Sequence, residues 1–316
     1  MHAIPATMSA VSGEEGEALR HRRLIVFTGC GDSLAVAEFG ARMLLQEGLN
    51  AIALSPPELL RVPIDGQCVV IGVTASGRSL STLAAIEYAA ECGATTIALT
   101  DNKEGRIVDR VEVVWLTRSG VESYNIIPTA PTTAAMAYLL AVVSKMSEER
   151  YQADVHVLSK NMSRVFEWAE REGRKISELI TTNQTVYLIS EGPHYVAAQL
   201  GMMKICESSM TLGVSVLREE FQHYGSLPTR AGDAAILITD SPPAKHDLRF
   251  LEILERILEL RSYLLCLPDE LEIRSPFAQV IPNVIALQTA VHNALTRTFP
   301  DKEWFRLPHA KAFEIY

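Results

Sequence analysis

Hydroxyl-bearing side chains crowd around one glycine in the segment Thr74–Thr82, which reads TASGRSLST. A strand-like apolar run precedes this segment and a helical pattern follows it, so the segment lies where a strand ends and a helix begins. In an open α/β sheet that junction forms a ligand-binding crevice, and the free N–H groups of a helix N-terminus favour an anion. The segment therefore predicts a phosphate site, although an ordinary helix cap also favours Ser or Thr. The residues predicted to bind are Thr74, Ala75, Ser76, Gly77, Arg78 and Ser79.

A second glycine turn, GCGDS at residues 29–33, follows the apolar run LIVFT. The turn does not match the dinucleotide-binding pattern GxGxxG, because Leu34 stands where the third glycine belongs. It also lacks the lysine of an ATP-binding phosphate loop. Glycine turns that only allow tight packing are common. We nevertheless expect Gly31 and Ser33 to help line the site of a smaller phosphorylated ligand.

Several ionisable residues lie in the second half of the chain. Lys204 and Glu207 are three residues apart on a predicted helix and so share one face, which is also the spacing of ordinary surface ion pairs. His223 follows in the polar and aromatic segment REEFQHYG, where a surface histidine is the alternative to a functional one. We expect His194 and His246 to be histidines of surface loops.

The elements that must position these residues alternate as strand, glycine turn and helix. Their strands are continuous apolar runs, which is typical of a parallel sheet covered by helices on both faces. The runs are LIVFT, CVVIGVT, TTIALT and EVVWLT in the first half, then TVYLIS, AAILIT and SYLLCL in the second. The glycine turn and the next hydroxyl-bearing turn are 45 residues apart in the first half and 49 in the second. We therefore predict an α/β protein made of two tandem copies of one unit.

The boundaries follow from the same pattern. We predict an N-terminal extension at 1–23, a first domain at 24–150, a connecting amphipathic helix at 151–183, a second domain at 184–300 and a tail at 301–316.

Composition excludes several classes of partner. The net charge is -9 over 316 residues and no run of Lys or Arg occurs, so we expect neither nucleic acid nor an anionic membrane as a partner. The longest apolar stretch is too short to span a bilayer, and no secretion signal is evident, so we expect a cytoplasmic protein. The five cysteines are widely spaced and are expected to be buried thiols. No histidine or carboxylate cluster has metal-ligand spacing, so we expect neither a metal nor a cofactor.

Together these segments resemble the sugar isomerase (SIS) family, specifically its tandem-domain branch, over nearly the whole chain. TASGRS is similar to the family's phosphate-binding SxSGxT loop. The segment GMMKICE followed by EFQH is similar to GxxKxKE and ELKHG in the isomerase portion of glucosamine-6-phosphate synthase, with the same spacing of 16 residues from Glu207 to His223. Lys311 in the C-terminal tail stands where the family carries a lysine. The resemblance implies two tandem SIS domains, each with a flavodoxin-like parallel sheet.

The resemblance also implies roles for these residues. Glu207 would shuttle a proton between C1 and C2 of an open-chain sugar, His223 would open the sugar ring, and Lys204 would orient the substrate near the base. Lys311 would polarise oxygen or form an imine at C1/C2. In the family the histidine reaches the site from a second subunit, which implies a homodimer.

Departures from the family pattern affect the substrate. Ala75 and Arg78 replace a polar residue and a common glutamate in the phosphate loop, and after Glu122 the family's lysine is replaced by Thr129. No glutaminase domain is evident in the sequence. The resemblance implies an enzyme that deaminates or isomerises a hexose or aminohexose 6-phosphate. A bifunctional phosphoglucose/phosphomannose isomerase and a non-catalytic regulator that senses sugar phosphates are the alternatives.

Overall fold

The computed structural model describes residues 2–121, 124, 129–147, 150–208 and 210–300. These residues divide into two compact units, and the division falls between Lys160 and Asn161. Each unit contains one parallel β-sheet with flanking helices. The predicted α/β class with parallel sheets is therefore confirmed.

The first unit has a five-stranded sheet in the order β2-β1-β3-β4-β5, with every neighbouring pair parallel. The order of the strands reverses between β1 and β3, which opens a crevice at the carboxyl ends of these two strands. Its strands are β1 Leu24–Thr28, β2 Ala51–Leu54, β3 Cys68–Val73, β4 Thr95–Thr100 and β5 Val113–Leu116. Its helices are α1 Ala3–Met8, α2 Glu14–Leu19, α3 Asp32–Gln46, α4 Pro56–Leu59, α5 Leu80–Glu91, α6 Ala130–Met146 and α7 Gln152–Lys160.

Helices cover both faces of this sheet because the central strands are apolar on both sides. All five residues of β1 and all six of β3 are buried. On one face Val26 and Val70 form a core with Ile86 of α5. On the other face the ring of Phe27 lies against Gly40 of α3, at a point where a larger side chain would collide with the ring.

The second unit repeats this arrangement with four parallel strands in the order β7-β6-β8-β9. Its strands are β6 Val186–Ser190, β7 Gly213–Leu217, β8 Ala234–Ile238 and β9 Arg261–Leu265. Its helices are α8 Met162–Ser177, α9 Tyr195–Glu207, α10 Arg218–Glu220, α11 Lys245–Arg256 and α12 Pro276–Thr298, with a π-helical turn at Phe221–Gly225 directly after α10. The two sheets share the order of their first four strands.

Segment 151–183 differs from the single helix expected. It contains two helices, α7 and α8, separated at Asn161. The backbone of Asn161 is not helical, and its carbonyl accepts hydrogen bonds from the amides of Arg164 and Val165, which start α8. Both helices bury an apolar face, so the amphipathic pattern continues across the break. The 1–23 segment forms α1 and α2, which pack against α6 in the first unit.

The cysteines also differ from expectation. Only Cys68 is buried, whereas Cys30 and Cys206 are exposed and Cys92 and Cys266 are partly buried. Exposure arises because Cys30 lies in a turn and Cys206 lies near the end of α9. Among the described helices, none has the length and apolar composition needed to cross a membrane.

Candidate functional site

The hydroxyl-rich loop lies at the carboxyl edge of the first sheet, as expected for the residues after β3. Thr74 and Ser76 are buried, and the Arg78 amide donates to the Ser76 hydroxyl oxygen at 3.3 Å. Ser79 occupies the N-cap position of α5, yet among the contacts described for this helix its side chain makes no capping hydrogen bond. Ser79 therefore does not cap α5 through its side chain, as is also true of the N-cap residues of α6 and α8.

The loop can form only because Gly77 is a glycine. Gly77 has φ +65°, and a Cβ built on it would lie 2.7 Å from the Cα of Gly105. Both the left-handed backbone and the close approach of two main chains exclude a larger residue. The side-chain amide of Asn102 stabilises the same loop by donating a hydrogen bond to the Ser76 carbonyl at 3.0 Å.

The GCGDS turn and the hydroxyl-rich loop come together through Cys30. The Ser79 hydroxyl donates to the Cys30 sulfur at 3.7 Å, and the Thr82 hydroxyl lies 3.8 Å from the same atom. Gly31 has φ +57° and directly precedes α3, so the turn presents Asp32 and Ser33 at the start of that helix.

A small cavity marks this edge of the first sheet. It is lined by residues after β1, β3, β4 and β5 and at the start of α6, among them Asp32, Ser33, Ala75, Asp101, Thr117 and Thr132. The Thr132 hydroxyl donates to Asp32 Oδ2 at 3.0 Å. Asp101 was not singled out from the sequence, although its place directly after β4 was the available signal.

Asp101 accepts four hydrogen bonds from the segment that follows β5. The donors are the Thr117 hydroxyl at 2.6 Å, the Ser119 amide at 2.8 Å, the Ser119 hydroxyl at 2.5 Å and the Tyr124 hydroxyl at 2.9 Å. Burial is the main cause that raises the pKa of the Tyr124 phenol well above its usual value, and the hydrogen-bonded Asp101 carboxylate raises it further. Tyr124 therefore remains a donor at neutral pH. Glu122 belongs to the same segment but lies outside the described residues.

Lys204 and Glu207 form an ion pair in the second unit, with Lys204 Nζ 2.9 Å from Glu207 Oε2. The pair is not the solvated surface pair that its spacing allows, because the Lys204 side chain is 1% exposed. Glu207 is the last residue of α9, and its side chain is 34% exposed. The helix thus presents a carboxylate that remains accessible while its cationic partner is enclosed.

His223 lies in the π-helical turn after α10, and its side chain is 70% exposed. Its Nε2 atom is 3.0 Å from Glu219 Oε1. Lys311 lies outside the described residues. The predicted loop residues thus belong to the first unit, and Glu207 and His223 belong to the second.

His194 is not the surface histidine expected, because its side chain is only 2% exposed. Its Nε2 lies 3.0 Å from Asp240 Oδ1, and the Asn283 amide donates to its Nδ1 at 3.3 Å. The hydrogen bond with His194 lowers the pKa of Asp240 below its usual value. Partners 46 and 89 residues away bury this turn residue, and such distant contacts are not visible in a local pattern.

His246 is an exposed loop residue, as expected, but it joins a cluster that the sequence spacing did not predict. Potential ligand atoms of Glu191, His246 and Asp247 lie within 4.8 Å of one another. The buried Arg218 guanidinium donates to Asp247 Oδ1 and forms an ion pair with Glu191, with Nη1 3.3 Å from Oε1. A divalent cation would therefore compete with a fixed positive charge, so the cluster is a poor metal site.

Comparisons with known proteins identify a family and a fold. A model of the SIS domain family matches residues 18–145. The chain is 25% identical over 221 residues to the glutamine–fructose-6-phosphate aminotransferase [isomerizing] 1 of Arabidopsis thaliana, covering 65% of this chain and 32% of that protein. It is 23% identical over 205 residues to the fructoselysine 6-phosphate deglycase of Escherichia coli, covering 63% and 60% of the two chains.

The chain thus spans about a third of the plant relative's length and 60% of the bacterial one's. Among solved structures, the glucosamine-6-phosphate deaminase of Thermotoga maritima has a TM-score of 0.73 at 16% identity, covering 93% of this chain and 91% of that one. At this identity the similarity establishes the fold.

Proposed function

We propose that this chain, whose residues 18–145 match the SIS domain family, is an enzyme acting on a hexose or aminohexose 6-phosphate. The reaction class is proton transfer between C1 and C2 of the open-chain sugar, as in aldose-ketose isomerisation or in deamination to the ketose. The observation that carries the proposal is the partly exposed Glu207 carboxylate, held at 2.9 Å by the enclosed Lys204 ammonium.

Binding of the phosphate is assigned to the first unit. The amides at the start of α5 and the hydroxyls of Ser76 and Ser79 are donors suited to phosphate oxygens. Arg78 supplies a positive charge in the same loop, and Gly31 and Ser33 belong to the adjoining turn. Ser79 makes no capping hydrogen bond to α5, so the first amides of the helix can donate to an anion.

Proton transfer is assigned to Glu207, because an ionised carboxylate can remove a proton from C2 and return it to C1. The Lys204 ammonium fixes the orientation of that carboxylate through their 2.9 Å contact. Lys311 stabilises the negative charge that develops on the oxygen at C1 or C2 of the sugar, or it forms an imine with the carbonyl carbon there.

The second unit is proposed to be a second SIS domain. Its strand order, β7-β6-β8-β9, repeats the order β2-β1-β3-β4 of the first unit. Each unit also has a glycine with positive φ after its first strand, namely Gly31 and Gly192.

Ring opening is assigned to His223 acting in the site of a second copy, so the protein works as a homodimer. The 70% exposure of the His223 side chain supports this assignment, because an imidazole that serves another subunit must be accessible at the surface.

The substrates named for the relatives support the substrate class. Fructose 6-phosphate, fructoselysine 6-phosphate and glucosamine 6-phosphate are all sugars phosphorylated at the same position. We therefore propose a 6-phosphosugar for this chain, with deamination of glucosamine 6-phosphate or isomerisation to fructose 6-phosphate as the reactions to test first.

The test is an NMR time course in deuterated buffer with glucosamine 6-phosphate, glucose 6-phosphate and fructose 6-phosphate, each with and without ammonia. The wild type should release ammonia or incorporate deuterium at C1 or C2. Glu207→Gln should lower the rate by about 100-fold or more, the range expected for loss of a general base. Glu252→Gln, which changes an exposed carboxylate on α11 of the same unit, is the matched control.

Binding measurements separate the alternatives. If none of the three sugars is converted but they raise the melting temperature, the protein is a sugar-phosphate sensor and the catalytic proposal is wrong. Equal activity of Glu207→Gln and the wild type would remove Glu207 from the mechanism.

A further inference from the structure

Asp101 occupies a central place at the carboxyl edge of the first sheet. Its main-chain amide donates to the Ala75 carbonyl at 3.3 Å, and the Thr100 hydroxyl donates to the same oxygen at 3.3 Å. The next residue, Asn102, holds the Ser76 carbonyl. The end of β4 is thus attached by three hydrogen bonds to the loop that is proposed to bind phosphate.

The Asp101 side chain points to a different segment, formed by the described residues 117–121 and 124 that follow β5. Each carboxylate oxygen accepts two hydrogen bonds, Oδ1 from the Thr117 hydroxyl and the Ser119 amide, and Oδ2 from the Ser119 and Tyr124 hydroxyls. Hydrogen bonds to an ionised carboxylate are stronger than those between neutral groups. One side chain therefore determines the course of the segment that leaves β5.

The two attachments meet at the same cavity, which Ala75, Asp101 and Thr117 line together. We infer that Asp101 is a positioning residue of the substrate site, which fixes residues 117–121 and Tyr124 against the phosphate loop. This inference rests on the proposed function. It adds a residue that neither the sequence motifs nor the family comparison identified.

The charge of Asp101 distinguishes a positioning role from the alternative, in which the carboxylate only repels the bound phosphate. A carboxylate beside a phosphate site repels the phosphate, so its removal alone would tighten binding. A carboxylate whose four lone-pair sites are filled by donors of one segment instead shapes the site, and its loss would weaken binding. Asp101→Asn removes the charge and also turns an NH2 donor toward groups that are themselves donors. The two roles thus predict opposite changes in affinity.

The experiment measures KM, kcat and the dissociation constant for glucosamine 6-phosphate and fructose 6-phosphate in Asp101→Asn. We expect the dissociation constant and KM to rise about tenfold to a hundredfold, because the lost hydrogen bonds hold the wall of the binding site. The change in kcat should be smaller, because these hydrogen bonds do not contact the reacting atoms. Asp109→Asn, an exposed acid in the same unit, is the matched control and should behave as the wild type.

A double-mutant cycle tests the proposed route through the segment. Tyr124→Phe removes one of the four donors without a change of charge, and should raise KM severalfold. When Asp101→Asn is already present, Tyr124→Phe should have little further effect, because the same hydrogen bond is already disrupted. Tyr124→Phe and Ser119→Ala, measured alone, replace Asp101→Asn as the test if that variant does not fold.

Each outcome decides the inference. An unchanged or lower KM in Asp101→Asn, or additive effects in the cycle, would overturn it while the proposed function stands. If the wild type neither binds nor converts the sugar phosphates, the proposed function fails and the inference fails with it.

Discussion

Lys204 is the residue whose environment differs most from that of an ordinary helix lysine. Its side chain is 1% exposed, whereas the Lys175–Glu172 pair on α8 has the same spacing and a lysine that is 53% exposed. Burial of an ammonium is costly unless a carboxylate compensates it, and Glu207 is the carboxylate that does so. Under the proposed function, the enclosed ammonium serves to orient the Glu207 carboxylate.

Lys204→Met tests this explanation because methionine fills similar space without charge. Glu207 is partly exposed and can be solvated when its partner is lost, so we expect kcat/KM to fall at least about tenfold while the melting temperature changes little. Lys175→Met is the matched control and should leave kcat/KM unchanged. A large loss of thermal stability in Lys204→Met with no change in kcat/KM would assign the pair a structural role.

At the scale of single residues, the sequence allows prediction of the groups that local motifs carry. The hydroxyls around Gly77 and the Lys204–Glu207 spacing are readable because each lies within one turn of chain. The burial of His194 is not readable, since it depends on Asp240 and Asn283 from other elements. The role of Asp101 is equally hidden, because all its donors lie 16 to 23 residues further along the chain.

At the scale of elements, the start of α2 shows a cap supplied from inside the helix. The N-cap residue is Gly13, which has no side chain, and Glu15 takes over by accepting from the Gly13 amide at 2.7 Å and the Ser12 amide at 3.1 Å. The Tyr138 hydroxyl of α6 also donates to Glu15 at 3.0 Å, so the same carboxylate attaches α2 to the helix on which it packs.

These contacts make the stability of the first unit depend on pH. Burial alone would raise the pKa of Glu15, but the amide hydrogen bonds at the turn outweigh it, and the pKa lies below its usual 4.5. The folded state therefore binds a proton less readily than the unfolded state. The stabilisation that the ionised Glu15 carboxylate gives the folded state is complete above about pH 4.5. It is lost as the pH falls through the lower pKa that Glu15 has in the folded state.

Glu15→Gln should accordingly lower the melting temperature of the first unit by about 2–4 °C at pH 7, corresponding to about 1 kcal/mol. The difference from the wild type should shrink between pH 5 and pH 3, since protonation removes the same carboxylate in the wild type. Calorimetry at a series of pH values measures both quantities. Glu14→Gln, on an exposed neighbour in the same turn, should show no such convergence, and a pH-independent difference for Glu15→Gln would contradict the argument.

Two edge strands, β2 and β7, were not predicted from the sequence pattern. Each lies at the edge of its sheet, beside the first strand of its unit. Edge strands are covered less completely than central ones, and only one residue of β2 and two of β7 are fully buried. β2 offers only four apolar residues, AIAL, and Ser215 interrupts the apolar run of β7, so both patterns are shorter than the runs that identified the other strands.

At the scale of the whole molecule, repetition of one structural unit was predictable because strand, glycine turn and helix recur in both halves. The apolar surface beside His223 was not predictable, since its residues come from separate segments. Tyr187, Val214, Val216 and Tyr224 line a cavity of about 560 Å³ in the second unit. Leu212, Tyr224 and Leu227 are exposed to 60%, 58% and 80%. Leu212 and Tyr224 both line the cavity, and exposed apolar residues that share a cavity are typical of an interaction surface.

A second copy of the chain is the partner that the proposed mechanism requires, and Leu227 is the residue with which to test it. Leu227 lies in sequence between Gly225 and Pro228, which both line the cavity, and four residues after His223. We expect the wild type to be a dimer by light scattering. Leu227→Asp should be monomeric, because a charge placed in a dry interface is costly. The variant chain should still fold normally, because an exposed side chain contributes little to the stability of the fold.

Activity connects this surface to the chemistry. Leu227→Asp should lose activity in parallel with dissociation, since the monomer cannot receive a histidine from a partner. Ile257→Asp, at a residue 71% exposed elsewhere in the same unit, should remain dimeric and active. A fully active monomer would show that His223 does not act across an interface. A dimer that persists in Leu227→Asp would place the subunit contact on another face of the second unit or on the first unit.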